Sequence, residues 1–131
     1  MRSRHLSCVV AASPEAVYRY AADPDNLPRW AAGLAAAEVR RDGDDLVVCS
    51  PMGEVRVRFV PRNDHGILDH EVVLPTGERV LNPMRVVAHP HGAEVLFTVR
   101  QLGMTDEELE RDAAAVERDL DALRRIVESQ R

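Results

Sequence analysis

The chain has 131 residues, of which 45% are hydrophobic and 30% charged, enough for one domain around one core and too few for two. Its formal net charge of −5 argues against a groove that neutralises a nucleic-acid backbone and against docking on anionic lipid. All 17 basic residues are arginine, which excludes Schiff-base chemistry at a lysine and a phosphate-cradling P-loop.

The apolar run from Cys8 to Ala12 is too brief for the core of a secretory signal, and no stretch approaches the roughly 18 apolar residues of a membrane span. Cys8 and Cys49 lie in separate β-like runs without C-x-x-C spacing, so both read as small buried side chains in a reducing, cytoplasmic setting. A first strand is expected over about residues 4–11, where β-branched and small apolar residues mix. Ser13-Pro14-Glu15 then supplies a helix start: a capping hydroxyl, proline at the first position and an acid in the first turn. Val17, Tyr18 and Ala21 form the expected apolar stripe of that helix. Asp23-Pro24-Asp25 repeats the signal, predicting a second short helix through Asn26 to Trp30 that ends near Gly33.

From residue 37 to residue 101 the apolar period becomes two. Turn signals fall at Asp42-Gly43-Asp44, Pro51-Met52-Gly53, Asn63-Asp64-His65-Gly66, Pro75-Thr76-Gly77 and Pro90-His91-Gly92, which divides the segment into six strands. Thr105 and Glu108 then form a capping box. Behind it Leu109, Ala113, Val116, Leu120, Leu123 and Val127 recur three and four apart, one apolar stripe on a long helix over about Asp106 to Glu128. No repeat or linker divides the chain, so residues 1–131 read as one α+β domain: a strand, two short helices, six antiparallel strands and a long helix. That helix is the only element long enough to cover the apolar face of the seven-stranded sheet.

Strand phase follows from the turns, because residues paired across a hairpin share a face. With Val55, Val57 and Phe59 inward, Glu54, Arg56 and Arg58 lie in water. The following turns then oppose Phe59 to Leu68, Val57 to His70, Leu68 to Val86, His70 to Met84, Val72 to Asn82, Val86 to Val95, Met84 to Phe97 and Asn82 to Val99. Two polar residues, His70 and Asn82, therefore enter the apolar face, on neighbouring strands and diagonal to each other. Asp69 points to the opposite face and is not placed to orient the His70 imidazole.

The chain resembles the START-like or SRPBCC superfamily, the helix-grip fold, and within it the small bacterial polyketide cyclase/dehydrase-like branch. The carriers are Ala12-Ser13-Pro14-Glu15-Ala16-Val17-Tyr18, Leu27-Pro28-Arg29-Trp30, Gly66-Ile67-Leu68-Asp69-His70-Glu71-Val72, Pro83-Met84-Arg85-Val86 and Gly92-Ala93-Glu94-Val95-Leu96-Phe97-Thr98, and the similarity runs from His5 to about Glu128. These marks specify a fold and carry no catalytic signature. The resemblance implies a curved sheet wrapped around the last helix with a ligand cavity between them.

On that frame the expected ligand-binding residues are Trp30, Val57, Phe59, His70, Asn82, Met84, Phe97 and Val99, and the expected ligand is a small hydrophobic molecule: a lipid, a polyketide, or an aromatic or isoprenoid-like compound. His70 is a candidate proton-transfer group and Asn82 a candidate donor to a carbonyl or oxyanion, which leaves a cyclase, aromatase or dehydratase as one alternative. Each also has a plain structural reading: a histidine hydrogen-bonded inside a core, and an amide serving backbone groups disturbed by Pro83. Trp30 reads either as a lid or as a core anchor. His89-Pro90-His91 reads as turn chemistry, and no metal or cofactor is expected. A co-chaperone-like interaction module is the remaining alternative. Five aromatic residues leave no stacking platform for nucleic acid, and a monomer or weak homodimer is expected.

Overall fold

The computed structural model describes residues 1–31, 38–50 and 53–130, with the backbone alone for Ser50. Strand β1 (Ser3–Val10) leads into helix α1 (Pro14–Ala22), a 3-10 turn (Pro24–Asn26) and helix α2 (Leu27–Trp30). Seven strands follow: β2 (Glu38–Asp42), β3 (Asp45–Ser50), β4 (Gly53–Phe59), β5 (His70–Val73), β6 (Arg79–Asn82), β7 (Met84–His89) and β8 (Gly92–Arg100). Helix α3 (Asp106–Ser129) closes the described chain. The expected end of the second helix at Gly33, the strand start at Ala37 and the Pro51-Met52 part of one turn lie outside the described residues.

Capping chemistry starts the helices where the sequence signals it. The Ser13 hydroxyl accepts from the Ala16 amide at 3.1 Å, and Asp23 does the same for Asp25 at 3.0 Å. Both arms of the Thr105–Glu108 box are made, at 3.0 and 3.1 Å, so two amides that a helix start leaves unpaired are satisfied. The stripe of α3 buries Leu109, Ala113, Leu120, Leu123 and Val127, with Val116 half-buried at its flank. Helix α3 packs chiefly on β1, then on β8, α2 and α1. Its C-terminal turn is tied to the start of the chain: Glu128 accepts from the Ala11 amide at 2.9 Å and pairs with Arg124 at 3.0 Å.

The described strands number eight and form two sheets, in the orders β1-β8-β7 and β2-β3-β4-β5-β6, where seven in one sheet were expected. Pro83 accounts for the difference. It has no N–H to donate to a ladder, so the single strand read across residues 78–89 breaks into β6 and β7. The sheets stay joined around the break by Leu68 N to Met84 O and Val86 N to Gly66 O, both 2.9 Å, and by the Ile67–Arg85 bridge. Gly66 makes this approach possible: its φ is +71°, and a Cβ there would overlap the Val86 carbonyl oxygen.

Two hairpin registers also differ from the sequence reading, each by two residues. His70 stands opposite Phe59 and opposite Asn82, and Val72 stands opposite Val57 and Val80. At the first hairpin the Asn63 side chain organises the loop, accepting from the His65 and Ile67 amides and donating to the Pro61 and Ile67 carbonyls. Residues 66–68 are thereby delivered to β7, and β4 pairs from Val60–Asp69 onward. At the second hairpin, Gly77 N to Leu74 O and Leu74 N to Glu78 O, each 2.8 Å, close the turn early. A slip of two preserves the face of every side chain, so the inward set is unchanged while its neighbours are not. The third hairpin pairs Met84 with Phe97 and Val86 with Val95, the register read from the sequence.

On the outer face, ion pairs run across the strands: Arg40–Glu54 at 2.9 Å, Arg56 to Asp42 and Asp45 at 3.0 and 3.2 Å, Arg58–Asp45 at 2.5 Å and Arg79–Glu71 at 2.6 Å. Val47 lies between Arg40 and Arg56 in register and is fully buried on this outward face, a use of long arginine stems as apolar cover. Two further corrections concern single residues. Tyr20, not Tyr18, joins Val17 and Ala21 in the buried stripe of α1, and Cys49 is exposed while Cys8 is half-buried.

Candidate functional site

The inner face is sealed at one end and partly open at the other. Leu6, Leu68, Met84, Val86 and Val95 are buried against α3 and its neighbours. Phe59, Val72, Val80, Asn82 and Phe97, which share the inward face of β4, β5, β6 and β8, are only half-buried. Half-buried, mostly apolar side chains therefore line the inward face along β5 and β6, with the buried His70 among them.

His70 is 8% exposed and is the one buried polar or charged side chain among the described residues. Its ring stacks on Phe59 at 4.7 Å between centroids and meets Phe97 at 5.6 Å, tilted by 59°. Nδ1 lies 3.0 Å from the Leu68 carbonyl oxygen. An acceptor at that distance places the proton on Nδ1, which leaves Nε2 of the neutral ring as a lone-pair acceptor. Burial pushes the imidazole below its ordinary value of 6.5, outweighing the opposite pull of the Leu68 carbonyl and of Asp69. No hydrogen bond to Nε2 or to the Asn82 side chain occurs among the described residues. The direct opposition of His70 and Asn82 across β5 and β6 thus sets an acceptor beside an amide, framed by aromatic and aliphatic surface.

Asp69, adjacent in sequence, does not join them. Its Oδ1 accepts from the Met84 amide at 2.9 Å and from Arg85 Nε at 3.1 Å, and Oδ2 pairs with Arg85 at 3.0 Å. The Arg85 guanidinium, with the Met84 amide, holds this carboxyl below the usual range. The acid that could orient an imidazole is committed to the other face.

The remaining expected residues are placed as follows. Met84, Val57 and Val99 are buried, and Trp30 is 4% exposed within the core, an anchor and not a lid. The His91 amide donates to His89 Nδ1 at 3.0 Å, which is turn chemistry. Two groups that sequence reading passed over are also buried: Tyr20 Oη and Trp30 Nε1 are enclosed with no hydrogen-bond partner among the described residues. A group left so costs about 1 to 3 kcal/mol. No sequence pattern announces such an atom, because it depends on what surrounds the ring.

Surface clefts lie elsewhere, two of them beside α1. One of about 740 Å³ separates α1 from the end of α3 and includes Arg19, Tyr20, Asp23 and His91. The other, of about 830 Å³, separates α1 from residues 62–66 and β7 and includes Tyr18, Arg19, Arg62 and His65. None of the expected ligand-binding residues lines either cleft.

The lowered His70 value has a consequence for stability. Below about pH 6.5 the unfolded chain takes up a proton that the native imidazole still refuses, so the unfolded state binds more protons and stability falls as pH drops. This contribution is complete above 6.5 and is lost on the way down to the lowered native value. The difference in urea-unfolding free energy between wild type and His70→Gln should therefore be constant at neutral pH and shrink from about pH 6.5 downward. A difference independent of pH would contradict the assigned burial.

The two joined antiparallel sheets, the pair of short helices after β1 and the long terminal helix packed on the sheet define the helix-grip, START-like class. The chain belongs to the polyketide cyclase/dehydrase and lipid transport family, which it matches over residues 1–128. No curated protein matches it significantly. Similar solved structures include the Aha1 dimer of Colwellia psychrerythraea, with 15% identity, TM-score 0.74 and coverage of 98% of this chain and 97% of that one. An uncharacterized protein of Bacillus thuringiensis is 18% identical with TM-score 0.72, covering 96% and 98%. A Chromobacterium violaceum protein is 17% identical with TM-score 0.71, covering 98% and 99%. At these identities the likeness is one of fold. No helix among the described residues is long and apolar enough to cross a membrane.

Proposed function

We propose that this protein binds a small apolar molecule against the inner face of β4, β5, β6 and β8. The carrying observation is that Phe59, Val72, Val80 and Phe97 share this face half-buried, beside His70 and Asn82, which stand opposite each other; we read them as an apolar trough with Nε2 of His70 and the Asn82 amide as its polar groups. Aromatic and aliphatic walls supply affinity by leaving water, and a few polar groups fix orientation. Membership of a family that includes lipid transport supports this reading.

Binding is favoured over catalysis by the surroundings of His70. A general base needs a pKa near the working pH and a partner that stabilises its charged form. Here burial lowers the pKa, Asp69 is held by Arg85, and the remaining partner is a backbone carbonyl. Such a ring accepts a hydrogen bond well and carries a proton poorly. His70→Gln should accordingly change ligand affinity only a few-fold.

Calorimetric titration with decanol tests the proposal. Wild type should bind, and Val72→Asp, which places a charge on the trough, should abolish binding. Leu81→Asp, on the outward face of β6 where the side chain is 51% exposed, should leave it intact. Equal binding by both variants would place the ligand elsewhere.

A further inference from the structure

We propose that β1 is the interface of a two-fold dimer, in which the outer edges of two copies of this chain pair antiparallel and join their β1-β8-β7 sheets into one. This goes beyond ligand binding and does not depend on it.

The backbone groups of β1 point two ways. The Gln101 amide donates to the Arg2 carbonyl at 2.9 Å, in the same frame that pairs Ser3 with Arg100. Antiparallel ladders alternate, so Arg4, Leu6, Cys8 and Val10 turn their N–H and C=O groups toward β8, while Ser3, His5, Ser7 and Val9 turn theirs away from it. The other side of β8 keeps that alternation, since the Thr98 amide donates to the Pro83 carbonyl at 3.0 Å. β1 is the last strand of its sheet, so the outward groups form an edge. Among the described residues, the one contact these groups make is Cys8 Sγ at 3.8 Å from the Val9 carbonyl oxygen.

Proteins ordinarily guard such edges with charge, proline, bulges or short strands. β2, at the far end of the other sheet, is five residues long and carries Glu38, Arg40, Arg41 and Asp42. β1 has none of these devices. It runs eight residues without proline, and its register is unbroken from Ser3–Arg100 to Val10–Ala93. Arg4 is tied to Glu110. Ser3, His5, Ser7 and Val9, whose backbones face outward, are exposed and include no arginine or carboxylate.

A second copy fits this edge. A strand edge is recognised through its backbone, so the partner must be another free edge, and every molecule of this chain presents one. Two-fold pairing centred on Leu6 sets Ser3 against the partner's Val9 and His5 against the partner's Ser7. Each outward N–H and C=O then meets its complement, an isologous contact. Charge permits it although the chain carries −5, because the flank of α3 beside β1 pairs its charges in place: Arg124 holds Asp121 and Glu128 at 2.7 and 3.0 Å. Two copies therefore bring no unpaired charge of β1 together.

Sedimentation over a range of concentrations and amide hydrogen exchange test this together. Wild type should dimerise reversibly. In the dimer the His5, Ser7 and Val9 amides should exchange at least about tenfold more slowly than in the dilute monomer, while those of Leu6 and Cys8 are slow in both. Ser7→Pro removes an N–H that makes no ladder bond within the chain and should raise the dimer dissociation constant about tenfold or more. Ser7→Lys should do the same by placing a charge on the edge with its backbone intact, which covers the case in which proline disturbs β1. Leu81→Ser, which removes an outward side chain that is 51% exposed, should leave the dimer unchanged. A wild type that stays monomeric to about 1 mM, a dimer indifferent to Ser7→Lys, or a dimer whose His5 and Ser7 amides still exchange fast would each overturn the proposal.

Discussion

Leu120→Asp is expected to cost about 4 kcal/mol or more, enough to unfold most of a domain this size, because it combines a lost core side chain with an unpaired buried charge. Leu120 is 2% exposed at the centre of the α3 stripe, in one cluster with Leu109, Leu123 and the inward residues of β1 and β8. That cluster holds no cation to neutralise a carboxylate, so the new acid must either protonate or pull the helix off the sheet. Glu117→Ala, one turn away on the exposed side, should stay within about 0.5 kcal/mol of wild type. Val116→Asp should fall between them, since Val116 sits at the half-buried flank. Thermal melts decide the matter: equal losses for Leu120→Asp and Glu117→Ala would reverse the face that α3 turns to the core.

Gly66→Ala is expected to be nearly as damaging, by about 3 kcal/mol, through strain added to overlap. The backbone there is at φ +71°, and the added methyl would meet the Val86 carbonyl, a backbone atom that is not free to swing aside. Gly77→Ala is the control. Its φ of +88° carries the same left-handed strain but nothing lies within 4 Å, so about 1 to 2 kcal/mol is expected. The difference between the two isolates the close approach of residues 66–68 to β7. That approach also sets the Leu68 carbonyl that orients His70, so Gly66→Ala should weaken decanol binding while Gly77→Ala does not. Equal losses of stability in the two variants would deny the contact its role.

Local chemistry made most of the fold legible. Ser13, Asp23 and Thr105 carry oxygen acceptors just ahead of proline or acidic residues, and a helix start needs little else. Period two in the strands and the three-four stripe in α3 identified the inward residues, because burial imposes the period directly. Register was not legible to the same depth, since a two-residue slip leaves the inward set intact. Only the Asn63 hub and the early closure at Gly77 select the true pairing, and those are contacts between side chain and backbone that no periodicity records. For the same reason His70 and Asn82 were read as polar intruders on the apolar face while their direct opposition was missed. The ring of Phe59 against His70 follows from the corrected pairing. The orphaned heads of Tyr20 and Trp30 were wholly invisible, being properties of three-dimensional enclosure.

The central claim is that His70 offers an unprotonated Nε2 to an apolar ligand, and the most direct measurement is the 15N spectrum of its imidazole during a titration with decanol. The ligand-free ring should show a protonated Nδ1 and a bare Nε2 at pH 7. As decanol binds, the Nε2 resonance should move upfield, as a lone pair that gains a hydrogen bond does, while Nδ1 keeps its proton and its bond to Leu68. An imidazole that stays unchanged through the titration, in a protein that takes up no decanol, would make His70 a satisfied core residue and remove the binding site proposed here.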